Sequence, residues 1–402
     1  MSSDRRLIFS AYIYTFMEIK RKRILISCDS PRSLLAFRGK LIERLIERHE
    51  VHVFTPKIGD LAISGQLATM GVQVHENNLN PSNVSIWSDL KYLKQLYRLI
   101  KALRPDVFFP YTFKPVIYGT IVARFCKVGY ITPMITGLGN NFSKREKKLT
   151  SVQRITQILL KYSMRAHKNL CIIFQNRDDF ETLLTARVLS LKNRVQVVNG
   201  SGVDLSYYKY FAPDLKAVSF LMIARLINAK GIREYYEAAR VLKQRFPHLN
   251  FRLIGPYDDN IDAIDKDFYM KIRNDGVLEY LGLINDVRPH IRNTSVVVLP
   301  SYYGEGIPRC ILEGMAMGRA IITSNSVGCK ETVNPSVSEI NGFLVPAMNI
   351  DALIRKMQHY IEHPTDIIRY GINGRKYAEE KFDVDKVNRN MVQILEGSHG
   401  LP

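Results

Sequence analysis

Short apolar runs alternate with amphipathic stretches along most of the chain. Residues 23–28 (Arg-Ile-Leu-Ile-Ser-Cys) read as a buried strand. Leu34, Leu35, Phe37, Leu41, Leu45 and Ile46 then recur at helical spacing within 33–48. Further strands are expected at 51–54, 106–110, 131–135 and 170–175, with helices near 87–103, at 115–127 and from about 150 to 168. The alternation pauses at 199–204 (Asn-Gly-Ser-Gly-Val-Asp), a turn followed by the aromatic run 207–211 and Pro213. It then restarts with strands at 218–224, 250–254, 277–281, 295–299 and 320–323 and helices at 232–245, 265–273, 287–292 and 308–317. Helical stretches at 351–362, 365–381 and 384–395 close the chain.

Strands alternating with helices predict βαβ units on parallel sheets. The fold class is therefore α/β, with two Rossmann-like, doubly wound domains facing across a cleft. We divide the chain into an extension at 1–22, a first domain at 23–204, a second at 205–383, and a closing helix at 384–402 that packs back toward the first domain. A ligand is expected in the cleft, at the carboxyl ends of the strands.

Composition sharpens this picture in one respect. The 402 residues are 46% hydrophobic and 24% charged, ordinary for a globular chain. The net charge of +19 is not ordinary, and it is lopsided. Residues 1–212 carry 33 basic and 15 acidic side chains, whereas residues 213–402 carry 24 and 23. Such a field in the first half implies an anionic partner: nucleic acid, anionic lipid or a phosphorylated substrate. The alternative is a solvated basic surface. The five cysteines have no metal-ligand spacing; Cys28, Cys126 and Cys171 lie in or beside apolar segments and read as buried thiols in a reducing compartment. No apolar run reaches the length of a membrane span. The apolar stretch 7–17 lacks a cleavage site and reads as an interfacial anchor or an extension ahead of the first domain.

Two segments of the second half carry the chemistry. After the strand at 218–224 come Arg225 and then Lys230-Gly231 at a helix start. Two cations beside the free N–H groups and positive end of a helix can hold a diphosphate; a surface turn with solvated cations is the competing reading. After the strand at 295–299 comes Ser301-Tyr-Tyr-Gly304-Glu305-Gly306-Ile307-Pro308, with Glu313 in the helix that follows. The glycines permit close backbone approach to a ligand, and Pro308 suits a first helical turn. A carboxylate beside a phosphate site makes electrostatic sense if it accepts hydrogen bonds from neutral sugar or ribose hydroxyls; a capped helix with an exposed Glu is the alternative. The triplets Asp265–Asp267 and Asp383–Asp385 fall in or before helices and read as surface features.

Together these segments resemble the retaining glycosyltransferases of family 4, with the GT-B fold. Glu305 and Glu313 stand in that family's Glu-x7-Glu pattern, Arg225 and Lys230-Gly231 look like its diphosphate motif, and 199–204 resembles its interdomain turn. Tyr280 and Gly282 resemble its base-contacting segment. Segments 109–119 and 136–141 look like those of bacterial enzymes extending polyprenyl-diphosphate-linked sugars, nearest in character to α-1,3-N-acetylgalactosaminyltransferases. The resemblance implies that Arg225 and Lys230 stabilise the leaving diphosphate, Glu305 holds the donor sugar and Glu313 the ribose. It places Gly306, Ile307 and Pro308 at the donor, and implies no metal and no cofactor beyond a nucleotide-sugar co-substrate, UDP-linked by preference. Many relatives carry a His where Phe113 stands, which makes Lys114 the candidate there. Arg38, Gly39, Gly137 and Asn140 are weaker acceptor or cleft candidates.

The implied partners are the donor, a polyprenyl-diphosphate-linked acceptor and an anionic inner-leaflet surface on the cytoplasmic face, where the chain would sit peripherally. A basic run at 144–148 leads into a helix with Val152, Ile155, Ile158, Leu159 and Tyr162 on one stripe and Arg154, Lys161, Arg165 and Lys168 on another, a pattern that suits an anionic membrane or, alternatively, packing on the chain's own sheet. Other readings are another donor (a UDP-hexose or GDP-sugar), a nucleotide-sugar epimerase or hydrolase, and remotely a nucleic-acid binder. For the last, zinc spacing and RNA-binding aromatic signatures are missing from the sequence.

Overall fold

The computed structural model describes residues 20–79, 86–142, 151–215, 217–257 and 262–397. The apolar stretch 7–17 and the basic run 144–148 lie outside them.

The first half is built from β1 (Arg23–Ser27), α1 (Pro31–Ile46), β2 (Glu50–Pro56), α2 (Leu61–Thr69), β3 (Gln73–Asn77), α3 (Ile86–Leu103), β4 (Val107–Pro110), α4 (Thr120–Phe125), β5 (Tyr130–Ile131), β6 (Met134–Ile135), α5 (Ser151–Ser163), β7 (Cys171–Phe174), α6 (Arg177–Thr185) and β8 (Arg194–Val197). The strands are parallel, in the order β3-β2-β1-β4-β5, with β6-β7-β8 beyond. Single bridges from Tyr111 to Met134 and from Ile131 to Leu170 join the two sheets. The strand expected at 131–135 is thus two short pieces around Pro133, which has no N–H for the ladder. The helix expected at 115–127 opens with a wide π-turn over Pro115–Gly119, and the one expected to reach 168 stops at Ser163.

The second half contains β9 (Ser219–Ile223), α7 (Ile232–Arg245), β10 (Asn250–Ile254), α8 (Lys266–Asn274), β11 (Glu279–Tyr280), α9 (Arg288–Arg292), β12 (Val296–Leu299), α10 (Arg309–Ala316), β13 (Ala320–Ser324), β14 (Gly342–Val345), α11 (Ile350–Glu362), α12 (Thr365–Tyr377) and α13 (Val384–Glu396). Its sheet runs β11-β10-β9-β12-β13-β14, all parallel. Both sheets reverse their winding between the first and fourth strands, and each such switch point leaves a crevice beyond the strand ends. β9 and β12 are almost wholly apolar and buried, as strands covered on both faces must be.

The chain crosses between the halves twice. Val203 N–H donates to Phe382 O (2.8 Å) and Val384 N–H to Val203 O (3.1 Å), pairing the two crossings. α13 then lies on α1: Val387, Met391, Ile394 and Leu395 belong to the first half's core, and Arg44 pairs with Asp385 at 2.6 Å. Asp265 and Asp383 cap α8 and α13, which gives the two acidic triplets a structural reason. Of the cysteines, Cys28, Cys171 and Cys329 are buried; Cys126 is only half-buried, because it follows α4 on the outer surface, and so is Cys310.

Candidate functional site

The two switch points face each other. From the second half, Arg225 lies just beyond β9, exposed at the mouth of the cleft. The one-turn segment Asn228–Lys230 follows, and Gly231 takes φ 81° before α7. A Cβ there would sit 2.4 Å from the Pro300 carbonyl, so only glycine brings this turn against the end of β12. That contact sets the Lys230 ammonium on the Glu305 carboxylate, with the Tyr303 ring 5.0 Å away. Ser301 Oγ donates to the same Glu305 oxygen at 3.0 Å. Burial pulls the Lys230 ammonium down, but the adjacent Glu305 carboxylate more than offsets this and holds it above the ordinary lysine value.

Pro308 stands at the N-cap of α10, one position before its first turn. Glu313, 8% exposed, accepts from Tyr208 Oη (2.9 Å) and from Arg309 Nε (3.2 Å). Burial raises its carboxyl above the usual range, and Arg309 and Tyr208 oppose the rise. Tyr280 donates to Gly255 O (2.9 Å) and packs edge-on against Tyr269, which stacks on Tyr257. Gly282 (φ 68°) has open space around it and accepts from Gly255 N–H. These groups form an aromatic wall beyond β10 and β11.

From the first half, the segment after β6 closes over the Gly304–Gly306 loop. Gly139 N–H donates to Gly304 O at 3.1 Å, and Gly137 sits so close that a Cβ would meet Gly304 O at 2.5 Å. Gly304 and Gly306 do permit close backbone approach, but what approaches them is protein: Gly139 on one side, Thr136 and Gln175 on the other. Asn176 is the strongest link. Its side chain caps α6 by accepting from Asp179 N–H (2.8 Å) and donates to the carbonyls of Glu305 (3.2 Å) and Gly306 (3.1 Å). Asp179, 2% exposed, is pushed up to about 7 by burial.

Lys114 is held by Asp89 at 2.9 Å, which also accepts from Tyr118 Oη at 2.8 Å. Asn140 lies in the turn Gly139–Phe142, and its side chain is outside the described residues. Arg38 is buried within α1, with Gly39 beside it. Sequence reasoning missed Asp29, Thr112, Asn176 and Asp179. Asp29 lies just past β1 at the first switch point, where burial raises its carboxyl despite a hydrogen bond from Thr112 and the nearby charges of Lys114 and Arg225. Thr112 holds φ 68°, which a β-branched residue rarely adopts. Its position after β4 was the available signal. Two cavities flank the Gly304–Gly306 loop. One, of about 290 Å³, lies between Arg38, Tyr111, Lys230, Glu305 and Arg309. The other, of about 740 Å³, lies between α6, Gln157 of α5, Tyr303 and Lys330.

Residues 217–363 match the family described as "Glycosyl transferases group 1", and residues 32–176 match "Glycosyl transferase 4-like". The chain belongs to the glycosyltransferases of the GT-B fold. A Campylobacter jejuni N,N'-diacetylbacillosaminyl-diphospho-undecaprenol alpha-1,3-N-acetylgalactosaminyltransferase is 28% identical to this transferase over 347 residues, covering 82% of this chain and 87% of that one. An Escherichia coli UDP-Gal:alpha-D-GlcNAc-diphosphoundecaprenol alpha-1,3-galactosyltransferase is 29% identical over 294 residues, 68% of this chain and 71% of that one. Among solved structures, Anabaena Alr3699/HepE in complex with UDP-glucose superposes with a TM-score of 0.74 at 17% identity, covering 94% of this chain and 100% of that chain. Among the described residues no helix of the transferase is long and apolar enough to cross a membrane.

Proposed function

We propose that this transferase moves a sugar from a UDP-linked donor, by preference an N-acetylhexosamine such as N-acetylgalactosamine, onto a polyprenyl-diphosphate-linked saccharide, with retention of configuration and without a metal. The observation that carries the reading is the Lys230–Glu305–Ser301 cluster beside the start of α10, at facing switch points. Two relatives named for undecaprenyl-diphosphate acceptors support the acceptor class, and one named for a UDP-sugar supports the donor. Arg225 and Lys230 stabilise charge as it develops on the departing diphosphate. Glu305 holds the donor sugar and Glu313 the ribose. The bond from the anomeric carbon to the diphosphate breaks, the acceptor hydroxyl forms the new glycosidic bond, and its proton goes to the departing phosphate. The product would serve cell-surface polysaccharide or glycan assembly.

The acceptor is delivered from a membrane, at the cytoplasmic face. α3 turns Trp87, Leu90, Tyr97 and the cations Lys91, Lys94, Arg98 and Lys101 to one exposed face. α5 does the same with Ile155, Ile158, Tyr162, Arg154 and Lys161, and Arg165 is exposed just past its end. α4 bridges them: the Phe125 ring lies 6.0 Å from Tyr97, and Arg124 bonds the Tyr162 carbonyl at 3.1 Å. Exposed aromatic groups ringed by cations fit an anionic lipid surface. Of the original stripe, Leu159 turns inward to the core and Val152 lies outside the described side chains. Since Gln157 of α5 lines the larger cavity, we place the lipid-linked saccharide there.

A donor screen tests the activity: purified protein, a short polyprenyl-diphosphate-linked monosaccharide, a panel of nucleotide sugars and product mass. A gain of one N-acetylhexosamine from a UDP donor is expected; no gain with any donor refutes the reading. For the surface, co-sedimentation with vesicles should rise with anionic lipid content and fall in Phe125→Ser/Ile158→Ser; indifference to lipid charge refutes it.

A further inference from the structure

Arg38 is 1% exposed, yet among the described residues it has no carboxylate partner. Among the described residues its Nη2 meets the Met134 thioether at 2.9 Å, its Nη1 meets the Phe37 carbonyl at 3.5 Å, and its Nε meets no acceptor. The Tyr111 ring lies 5.4 Å from the guanidinium carbon. The other charges around the same cavity are spoken for: Lys230 by Glu305, and Arg309 by Glu313. A guanidinium out of water and unpaired is expensive, and burial has already pulled Arg38 down to about 10. Such a group is retained where an anion arrives to meet it. A planar fork of donors matches a phosphate's oxygens better than a point charge does.

We propose that Arg38 binds a diphosphate: its guanidinium takes a phosphate oxyanion in the 290 Å³ cavity, opposite Lys230, so that the first half of the chain grips the ligand that the second half holds. This rests on the glycosyltransferase reading above. Because Lys230 and the start of α10 share the cavity, the favoured source is the donor's nucleoside diphosphate; the acceptor's lipid diphosphate offers the same chemistry. Cleavage of the donor then waits for both halves to meet around it, which keeps the activated sugar from water in the open cleft.

The test uses full-length wild type, Arg38→Met and Arg38→Lys, with UDP as probe. Arg38→Met should melt no lower than wild type without ligand, since it removes an unpaired buried charge, and should bind UDP at least tenfold more weakly. Arg38→Lys should fall between. If the anion is the acceptor's, UDP affinity stays and the KM for the lipid-diphosphate acceptor rises tenfold instead. A folded Arg38→Met with wild-type UDP affinity and wild-type acceptor KM overturns the proposal. Should the Met variant not fold, Arg38→Lys is read by the same criteria. A wild-type protein that binds no UDP and transfers nothing refutes the functional reading first; wild-type binding with indifferent Arg38 variants refutes this inference alone.

Discussion

Asn176→Ala removes, in one side chain, a helix cap and two bonds that tie the halves together across the Glu305–Gly306 loop. The lost cap costs about 1 kcal/mol. The two bonds to carbonyls cost about 1 kcal/mol each. Asp179 also loses the Asn176 amide, its donor at 2.9 Å, inside a buried site. The sum is about 3 kcal/mol of stability, read as a fall in the urea midpoint. The loop that carries Glu305 would also lose its anchor, so kcat should drop roughly tenfold or more, since small misplacements of positioning groups are costly. Asn176→Ser separates the two effects. Serine can still cap α6 and should recover about 1 kcal/mol, but it cannot reach both carbonyls, so turnover should stay low. A serine variant with wild-type turnover would show that the loop holds its place without the amide, and the positioning role would fall.

Arg225→Ala should lower kcat by about 10²–10³-fold, the usual scale for one group stabilising developing charge, while Glu313→Ala should chiefly weaken donor binding; wild-type kinetics in both would refute the site. Lys230→Met should lower kcat at least as far and also destabilise the protein by leaving Glu305 buried beside Ser301 alone, read together by kinetics and melting. Asp179 gives a pH signature. Its folded pKa, about 7, lies above the ordinary carboxyl value, so the folded state holds the proton more tightly and wild type loses stability as pH rises from about 4 to 7. Asp179→Asn should therefore gain on wild type across that window, by up to about 4 kcal/mol, and the gap should be flat above it; a gap independent of pH refutes the assignment.

The second half was largely legible in the sequence. β12 is a continuous apolar run, β9, β10 and β13 are rich in apolar residues, and α7 carries clear helical spacing, so pattern alone places them. The elements that pattern missed are β3, β8 and β14, α2 and α6. β3 (Gln-Val-His-Glu-Asn) and β8 (Arg-Val-Gln-Val) are edge strands that mix polar with apolar residues, so the apolar signal is diluted. α2 is interrupted by Gly65 and buries only Leu67. Of the site, the Arg225, Lys230 and Glu305 segments were legible because each is local, a strand end running into a helix start. The closure was not. Gly137 against Gly304 and Asn176 against Glu305 join positions more than a hundred residues apart, and neither residue type announces its partner. Lys114 shows the converse limit: its charge was visible, but not that Asp89, on α3, would take it.

The paired crossings at Val203 and Val384 decide how the molecule can move. A single tether would let one half swivel, twist and slide against the other. Two strands of backbone fastened side by side act as a leaf hinge, with one soft axis along their common line and stiffness in the other directions. α13, seated on α1, anchors one leaf. Opening the cleft is then a one-dimensional swing, and every return brings the same residues into register. The alignment of a reactive carbon with its acceptor would thus be a property of the hinge line as much as of the groups that touch the substrate.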